Sequence, residues 1–170
     1  MTTHPAVPVY ATPRNGAHDD GWWLPGPDSF AACALSASAR TVADARRFTL
    51  ATLRGWRICA ALTDDAALIV SELVSNALRY GVRNAVGEAG GGRVAGPVVT
   101  PAWLALTRRD DGVMCAVSDG GEGAPVIGTA DPLAESGRGL SIVEQLSDAW
   151  GWTLPDSSGK TVWATLSPRP

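Results

Sequence analysis

The stretch that decides the fold is Glu72-Leu-Val-Ser-Asn76-Ala-Leu-Arg-Tyr-Gly81. Residues four apart lie on the same side of a helix, so this segment places a carboxylate and a carboxamide one turn apart. The apolar residues around them predict a buried face, and Gly81 predicts the end of the helix. Two polar side chains beside a buried face make this helix a candidate wall of a binding site.

Apolar residues at spacings of three and four predict two helices in the first half of the chain. The first begins near Ser38 and ends near Trp56. The second begins at Thr63 and Asp64, which supply a cap and a favourable charge, and it ends at Gly81. Its predicted buried stripe consists of Leu62, Ala66, Ile69, Leu73 and Ala77.

The second half of the chain predicts strands and one more helix. Residues 98–107 and 113–117 are β-prone and are joined by the hairpin signal Asp110-Asp111-Gly112. An amphipathic helix is expected over 139–150, and a second hairpin follows it. The order helix, helix, hairpin, helix, hairpin predicts an α+β fold, with helices on one face of a mostly antiparallel sheet.

Composition limits both the organisation and the class of protein. A chain of 170 residues with 45% hydrophobic residues is enough for one domain, which we assign to residues 28–170. Residues 1–27 are rich in Pro and Gly and are expected to form a flexible extension, and the glycine-rich residues 83–97 a flexible insertion. Three separated cysteines among apolar residues are expected to be buried, reduced thiols.

Charge and histidine content exclude several functions. A net charge of −3 without a basic run argues against direct binding of nucleic acid or of an anionic membrane. The N-terminus has no secretory pattern and no apolar run reaches membrane-spanning length, so a cytoplasmic location is expected. Both histidines lie in the first twenty residues, which argues against most metal clusters and histidine-based catalysis.

Glu72 and Asn76 are candidates for magnesium-assisted chemistry. Asparagine is a poor helix former, so its position in mid-helix suggests a task for its carbonyl oxygen. Mg²⁺ takes one or two oxygen ligands from a protein and the rest from phosphates and water. Asn76 is therefore the candidate ligand and Glu72 the candidate base, although Glu72 taken alone is better explained as an ordinary boundary residue.

The turn Asp119-Gly-Gly121-Glu-Gly123 follows a predicted strand. A carboxylate there can accept a hydrogen bond from an exocyclic amine such as that of adenine, while Gly121 and Gly123 allow a ring to approach the backbone. Asp119 could equally be a simple turn cap. The order and spacing of the segments favour the binding role.

A second glycine turn, Gly137-Arg138-Gly139-Leu140, leads directly into the third predicted helix. Backbone N–H groups at a helix start can meet phosphate oxygens, and Arg138 is a candidate extra cation. The turn has no glycine at position 142, so it is not a dinucleotide-binding fingerprint.

Together these segments resemble the motifs of the GHKL superfamily, the ATP-binding fold shared by DNA gyrase, heat-shock chaperone ATPases, sensor histidine kinases and mismatch-repair ATPases. Residues 72–81 are similar to its N-box, 117–123 to its first glycine box, 137–143 to its second and 159–163 to its third. The resemblance covers about residues 30–166. It implies a two-layer α/β sandwich, the Bergerat fold, with a mixed, mostly antiparallel sheet.

The same resemblance implies roles for individual residues. ATP is expected between the helices, with its adenine meeting Asp119 and Thr161 and with Mg²⁺ meeting Asn76. Gly121, Gly123, Gly137, Arg138, Gly139 and Leu140 are expected to bind the nucleotide. Residues 122–138 are expected to form a lid.

Within the superfamily, the chain looks most like the stand-alone bacterial anti-sigma factor serine kinases. No phosphoacceptor-histidine helix precedes the N-box and no transducer domain follows the third box, which disfavours sensor kinases and topoisomerases. The resemblance implies a kinase that binds a sigma factor and phosphorylates a STAS-type anti-anti-sigma protein, with Glu72 as the base and a homodimer as a family expectation. The rival functions are a nucleotide-gated binding module without phosphate transfer and a nucleotide-free scaffold.

Overall fold

The computed structural model describes residues 29–81, 102–121, 123–125, 139–153 and 159–169. The predicted extension, the 83–97 insertion and most of the expected lid lie outside these ranges. The elements, in chain order, are β1 (Phe30–Leu35), α1 (Thr41–Gly55), α2 (Ala60–Tyr80), β2 (Ala102–Arg109), β3 (Gly112–Asp119), α3 (Gly139–Leu146), β4 (Ala149–Trp152) and β5 (Lys160–Leu166).

The five described strands form one sheet in the order β1-β2-β3-β5-β4, and every pairing between them is antiparallel. Side chains alternate along each strand, so that Leu104, Cys115 and Ala164 belong to the buried core. The helices pack on this buried side of the sheet, with α2 in contact with α1, α3 and β3. The predicted α+β fold is confirmed, while the expected mixed sheet is antiparallel throughout its described strands.

Helix α2 occupies the centre of the helical layer. Its predicted buried stripe is confirmed, and the burial extends to Thr63, Ala67, Val70 and Val74 because sheet and helices enclose it from several sides. Gly81 follows its last residue, and the Gly81 N–H donates to the Ala77 carbonyl oxygen. Neither α2 nor any other described helix is long and apolar enough to cross a membrane.

The start of α2 differs from the prediction. The helix begins at Ala60, and Cys59 is the N-cap without a side-chain cap. Two alanines, which favour helix strongly, extend the helix ahead of the expected cap. Thr63 is instead buried inside the first turns, where its hydroxyl donates to the Ile58 carbonyl oxygen at 3.5 Å.

The third helix and the first strand also differ from expectation. Helix α3 ends at Leu146 rather than at position 150, because the chain turns into the sheet where Asp148 N–H donates to the Thr165 carbonyl oxygen. Trp150 therefore lies in β4 and packs against the core from the sheet. Strand β1 was not predicted, since its alanine-rich sequence lacks β-branched residues.

The cysteines occupy three different environments. Cys115 is fully buried in β3, Cys33 is half-buried and Cys59 is exposed, so the expectation of three buried thiols is confirmed only for Cys115. Burial raises the pKa of the Cys115 thiol to about 12. Burial also raises the pKa of Cys33, to a smaller extent.

We predict that a thiol reagent at about pH 8 modifies Cys59 in the folded protein and leaves Cys115 unmodified until denaturant is added. The reagent needs an accessible thiolate, and Cys115 offers neither access nor ionisation. Mass spectrometry of peptides locates the label, and Cys59→Ser is the control that removes the fast phase. Rapid labelling of Cys115 without denaturant would contradict the core packing.

Candidate nucleotide site

A cavity of about 340 Å³ lies where α2, the end of β3 and the starts of α3 and β5 meet. Its apolar walls come from Leu73 and Ala77 on α2 and from Val117 and Val162 on the sheet. Its polar groups are contributed by Asn76, Asp119 and Lys160. A concave, mostly apolar space with a few converging polar groups is the usual form of a small-molecule site.

Helix α2 brings its two polar residues to the start of α3. Asn76 lines the cavity, and Glu72 lies one turn before it. A β-carbon built on Gly139 would lie 2.5 Å from Glu72 Oε2 and 3.6 Å from Asn76 Nδ2. The first residue of α3 thus approaches both side chains closely, and a side chain at position 139 would displace the Glu72 carboxylate.

Asp119 is the last residue of β3 and is only 4% exposed. Its Oδ1 accepts two hydrogen bonds, one from the Gly121 N–H at 2.8 Å and one from Lys160 Nζ at 2.7 Å. A buried carboxylate requires such partners. Asp119 therefore caps the turn after β3 and also lines the cavity.

Gly81 allows the end of α2 to contact this carboxylate. A β-carbon at Gly81 would lie 2.6 Å from Asp119 Cβ and would also overlap the Ala77 carbonyl oxygen. Gly121 is confined in the same way, since a β-carbon there would lie 2.8 Å from both Asp119 Oδ1 and the Tyr80 carbonyl oxygen. The two glycines surround Asp119, so the carboxylate has little freedom to move.

Thr161, which was expected to meet the ligand alongside Asp119, is not among the residues that line the cavity. Strand alternation places Thr161 on the opposite face of β5, where its hydroxyl lies 2.7 Å from Ser118 Oγ. Lys160 takes the inward position instead, and sequence reasoning missed it. The signal was present, because the apolar residues Val162, Ala164 and Leu166 mark the even-numbered positions of β5 as the buried ones.

The remaining predicted site residues divide into two groups. Gly123 and Leu140 line the cavity together with Gly139, while Gly121 lies behind Asp119. Gly137 and Arg138 fall outside the described residues. The structure therefore brings together side chains or backbone from α2, β3 and α3, which are the three segments that the sequence singled out.

Comparison with known families decides the identity of this arrangement. The family described as histidine kinase-like ATPase domain matches residues 35–166, which is most of the chain. The chain belongs to this family. The matched residues include α2, β3, α3 and β5, which enclose the cavity. The predicted membership of the GHKL superfamily is therefore confirmed. A search among curated proteins found no match.

Membership of the histidine kinase-like ATPase family implies ATP as the ligand, and the residues present fit it. The apolar walls suit a purine ring, and the Asp119 carboxylate suits its exocyclic amine. No group of three His, Cys, Asp or Glu residues that could hold a metal occurs in the described parts of the chain. A cation beside Asn76 would therefore take most of its ligands from phosphates and water.

We predict that Gly81→Ala lowers the free energy of unfolding by about 1–3 kcal/mol, because the new methyl group overlaps Asp119 and a backbone carbonyl. Gly55→Ala, at the end of α1, is the matched control, since a β-carbon there meets no atom within 4 Å. Urea denaturation measures both changes. Equal stability of the two variants would contradict the close approach of α2 to Asp119.

Proposed function

We propose that the chain is an ATP-dependent protein serine/threonine kinase that acts as an anti-sigma regulatory factor. The observation that supports this most is the position of Glu72, whose carboxylate lies beside Gly139, a residue that lines the cavity, and one turn from Asn76. A carboxylate next to the start of a helix that would receive phosphate is suited to act as a general base.

Binding would depend on three parts of the site. Asp119 would accept a hydrogen bond from the adenine amine, and the apolar walls would enclose the ring. The backbone at Gly139 and Leu140, where α3 begins, would donate to phosphate oxygens. Asn76 would hold Mg²⁺, which when bound neutralises charge that develops on the transferred phosphoryl group.

Glu72 would accept the proton of the attacking serine hydroxyl. The hydroxyl oxygen forms a bond to the γ-phosphorus while the bond to the β–γ bridging oxygen breaks, and ADP leaves with that electron pair. The proton remains on the Glu72 carboxylate until solvent removes it. Base catalysis of this kind contributes typically about 10²–10⁴-fold to a rate.

The proposed protein partners follow from the resemblance of the N-box and glycine boxes to those of the anti-sigma factor serine kinases. We propose a sigma factor as the sequestered partner and a STAS-type anti-anti-sigma protein as the phosphate acceptor, with a homodimer as the working unit. We place the chain in the cytoplasm. Nucleotide-gated binding without phosphate transfer is the rival, and the experiment below separates the two.

We predict that Glu72→Gln abolishes phosphate transfer but not binding of ATP. Transfer to the acceptor should fall by about 10²–10⁴-fold because the base is lost. The dissociation constant for ATP should stay nearly unchanged, because the carboxamide keeps the size of the side chain. Calorimetry measures binding, and incorporation of radiolabelled phosphate measures transfer.

Asp119→Asn is the complementary variant, and we predict that it weakens ATP binding by at least about 10-fold, because the charged hydrogen bond to the amine is lost and buried Lys160 loses its carboxylate partner. If the wild type binds ATP yet transfers no phosphate to any STAS-type acceptor, the binding-module function replaces the kinase. If the wild type does not bind ATP, both functions fail and the nucleotide-free scaffold remains.

Gly139→Ala tests the geometry between α3 and Glu72. The added methyl group meets the far end of the flexible Glu72 side chain, so the fold should tolerate it while the carboxylate moves. We predict a loss of about 10²-fold in transfer rate with little change in melting temperature. Gln145→Ala, on the exposed end of the same helix, is the control and should behave like the wild type.

A further inference from the structure

Lys160 is the single lysine of the chain, since the other 13 of its 14 basic residues are arginines. Its side chain is buried at the cavity, with 6% of it exposed. Its Nζ donates to Asp119 Oδ1 at 2.7 Å and to the Gly121 carbonyl oxygen at 3.4 Å. A lysine buried at this depth requires a negative partner, and Asp119 is that partner.

Both hydrogen-bond donors to Asp119 bind the same carboxylate oxygen. Lys160 Nζ and the Gly121 N–H both donate to Oδ1, which thereby uses both of its lone pairs. Of the two carboxylate oxygens, Oδ2 is therefore the one with acceptor capacity to offer the cavity. The two donors hold Oδ1 in place, and they thereby restrict the rotation of the carboxylate about its Cβ–Cγ bond.

The space around Nζ suits an ammonium group and not a guanidinium group. A single β-carbon at Gly121 would lie 2.9 Å from Nζ and 2.8 Å from Asp119 Oδ1. A compact point charge with three donors fits such a confined position, whereas the planar fork of arginine needs more room. This difference gives a physical reason for lysine at the one position where an arginine-rich chain uses it.

We propose that Lys160 is the residue that sets selectivity for a 6-aminopurine, by holding Asp119 so that Oδ2 accepts from the exocyclic amine. The inference rests on the proposed nucleotide function and adds a residue to it. Without Lys160, Asp119 would lose its fixed orientation and the preference for a base that carries the amine. Lys160 is thus a positioning residue, which acts on the ligand through Asp119.

The test compares ATP with purine riboside 5′-triphosphate, which lacks the amine and is otherwise the same ligand. Calorimetry with the wild type should show ATP bound about 10–100-fold more tightly, the value of one charged hydrogen bond. In Lys160→Met this ratio should fall to within about threefold, because ATP loses affinity and the analogue does not. Thr165→Val, further along β5 on the face that points away from the cavity, should keep the wild-type ratio.

A fall of both affinities by the same factor in Lys160→Met would overturn the proposal, because it would show that Lys160 only supports the fold. Binding of neither ligand by the wild type would instead mean that the proposed nucleotide function has failed. If Lys160→Met does not fold, NMR of the wild type labelled with ¹³C-lysine replaces it. Lys160 is the single lysine, so its side chain gives one assigned signal. ATP should shift that signal more than purine riboside triphosphate does, and equal shifts or none would overturn the proposal.

Discussion

The burial of one carboxylate against one ammonium group, Asp119 and Lys160, is the constraint on which the site depends. Removing either charge from water without a partner costs several kcal/mol, so the two must be buried together. The strands β3 and β5 pair directly and present the two residues on their inward face. Gly81 and Gly121 then allow α2 and the turn after β3 to pack against the pair, and the cavity forms above it.

Neighbouring residues of helix α2 contribute to the hydrophobic core and to the candidate site. Leu73 and Ala77 are buried, while the residues immediately before them, Glu72 and Asn76, stay half-exposed. Because a helix fixes these offsets, packing of the stripe against the sheet also fixes the direction of the carboxylate and the carboxamide. A change in the packing of α2 is therefore also a change in the placement of the proposed base.

Most of the fold and the centre of the site could be predicted from the sequence, for definite physical reasons. The helices have a clear apolar period, and glycines beside Asp119 and at 139 mark close approaches that the structure contains. The misses occurred where local signals were weak or ambiguous. Strand β1 is too rich in alanine to be recognised, and the cap signal at Thr63 competed with the alanines ahead of it.

The most instructive miss is Lys160. Family resemblance drew attention to Thr161, whereas the alternation of β5 assigns the inward position to its neighbour. A buried salt bridge between residues 41 positions apart cannot be predicted from either residue alone, because each sequence context looks like an ordinary polar strand end. Only the pairing of β3 with β5 makes them neighbours.

The distance in sequence between Asp119 and Lys160 has a consequence for how long a molecule of this protein would survive proteolysis. Both β3 and β5 contribute walls of the cavity, so the site is complete only when these two strands have paired. A ligand that binds only the complete fold withdraws molecules from the opened population that proteases attack, in proportion to its concentration relative to its dissociation constant. The cellular level of nucleotide would then govern how long each molecule persists, independently of any reaction that the molecule carries out.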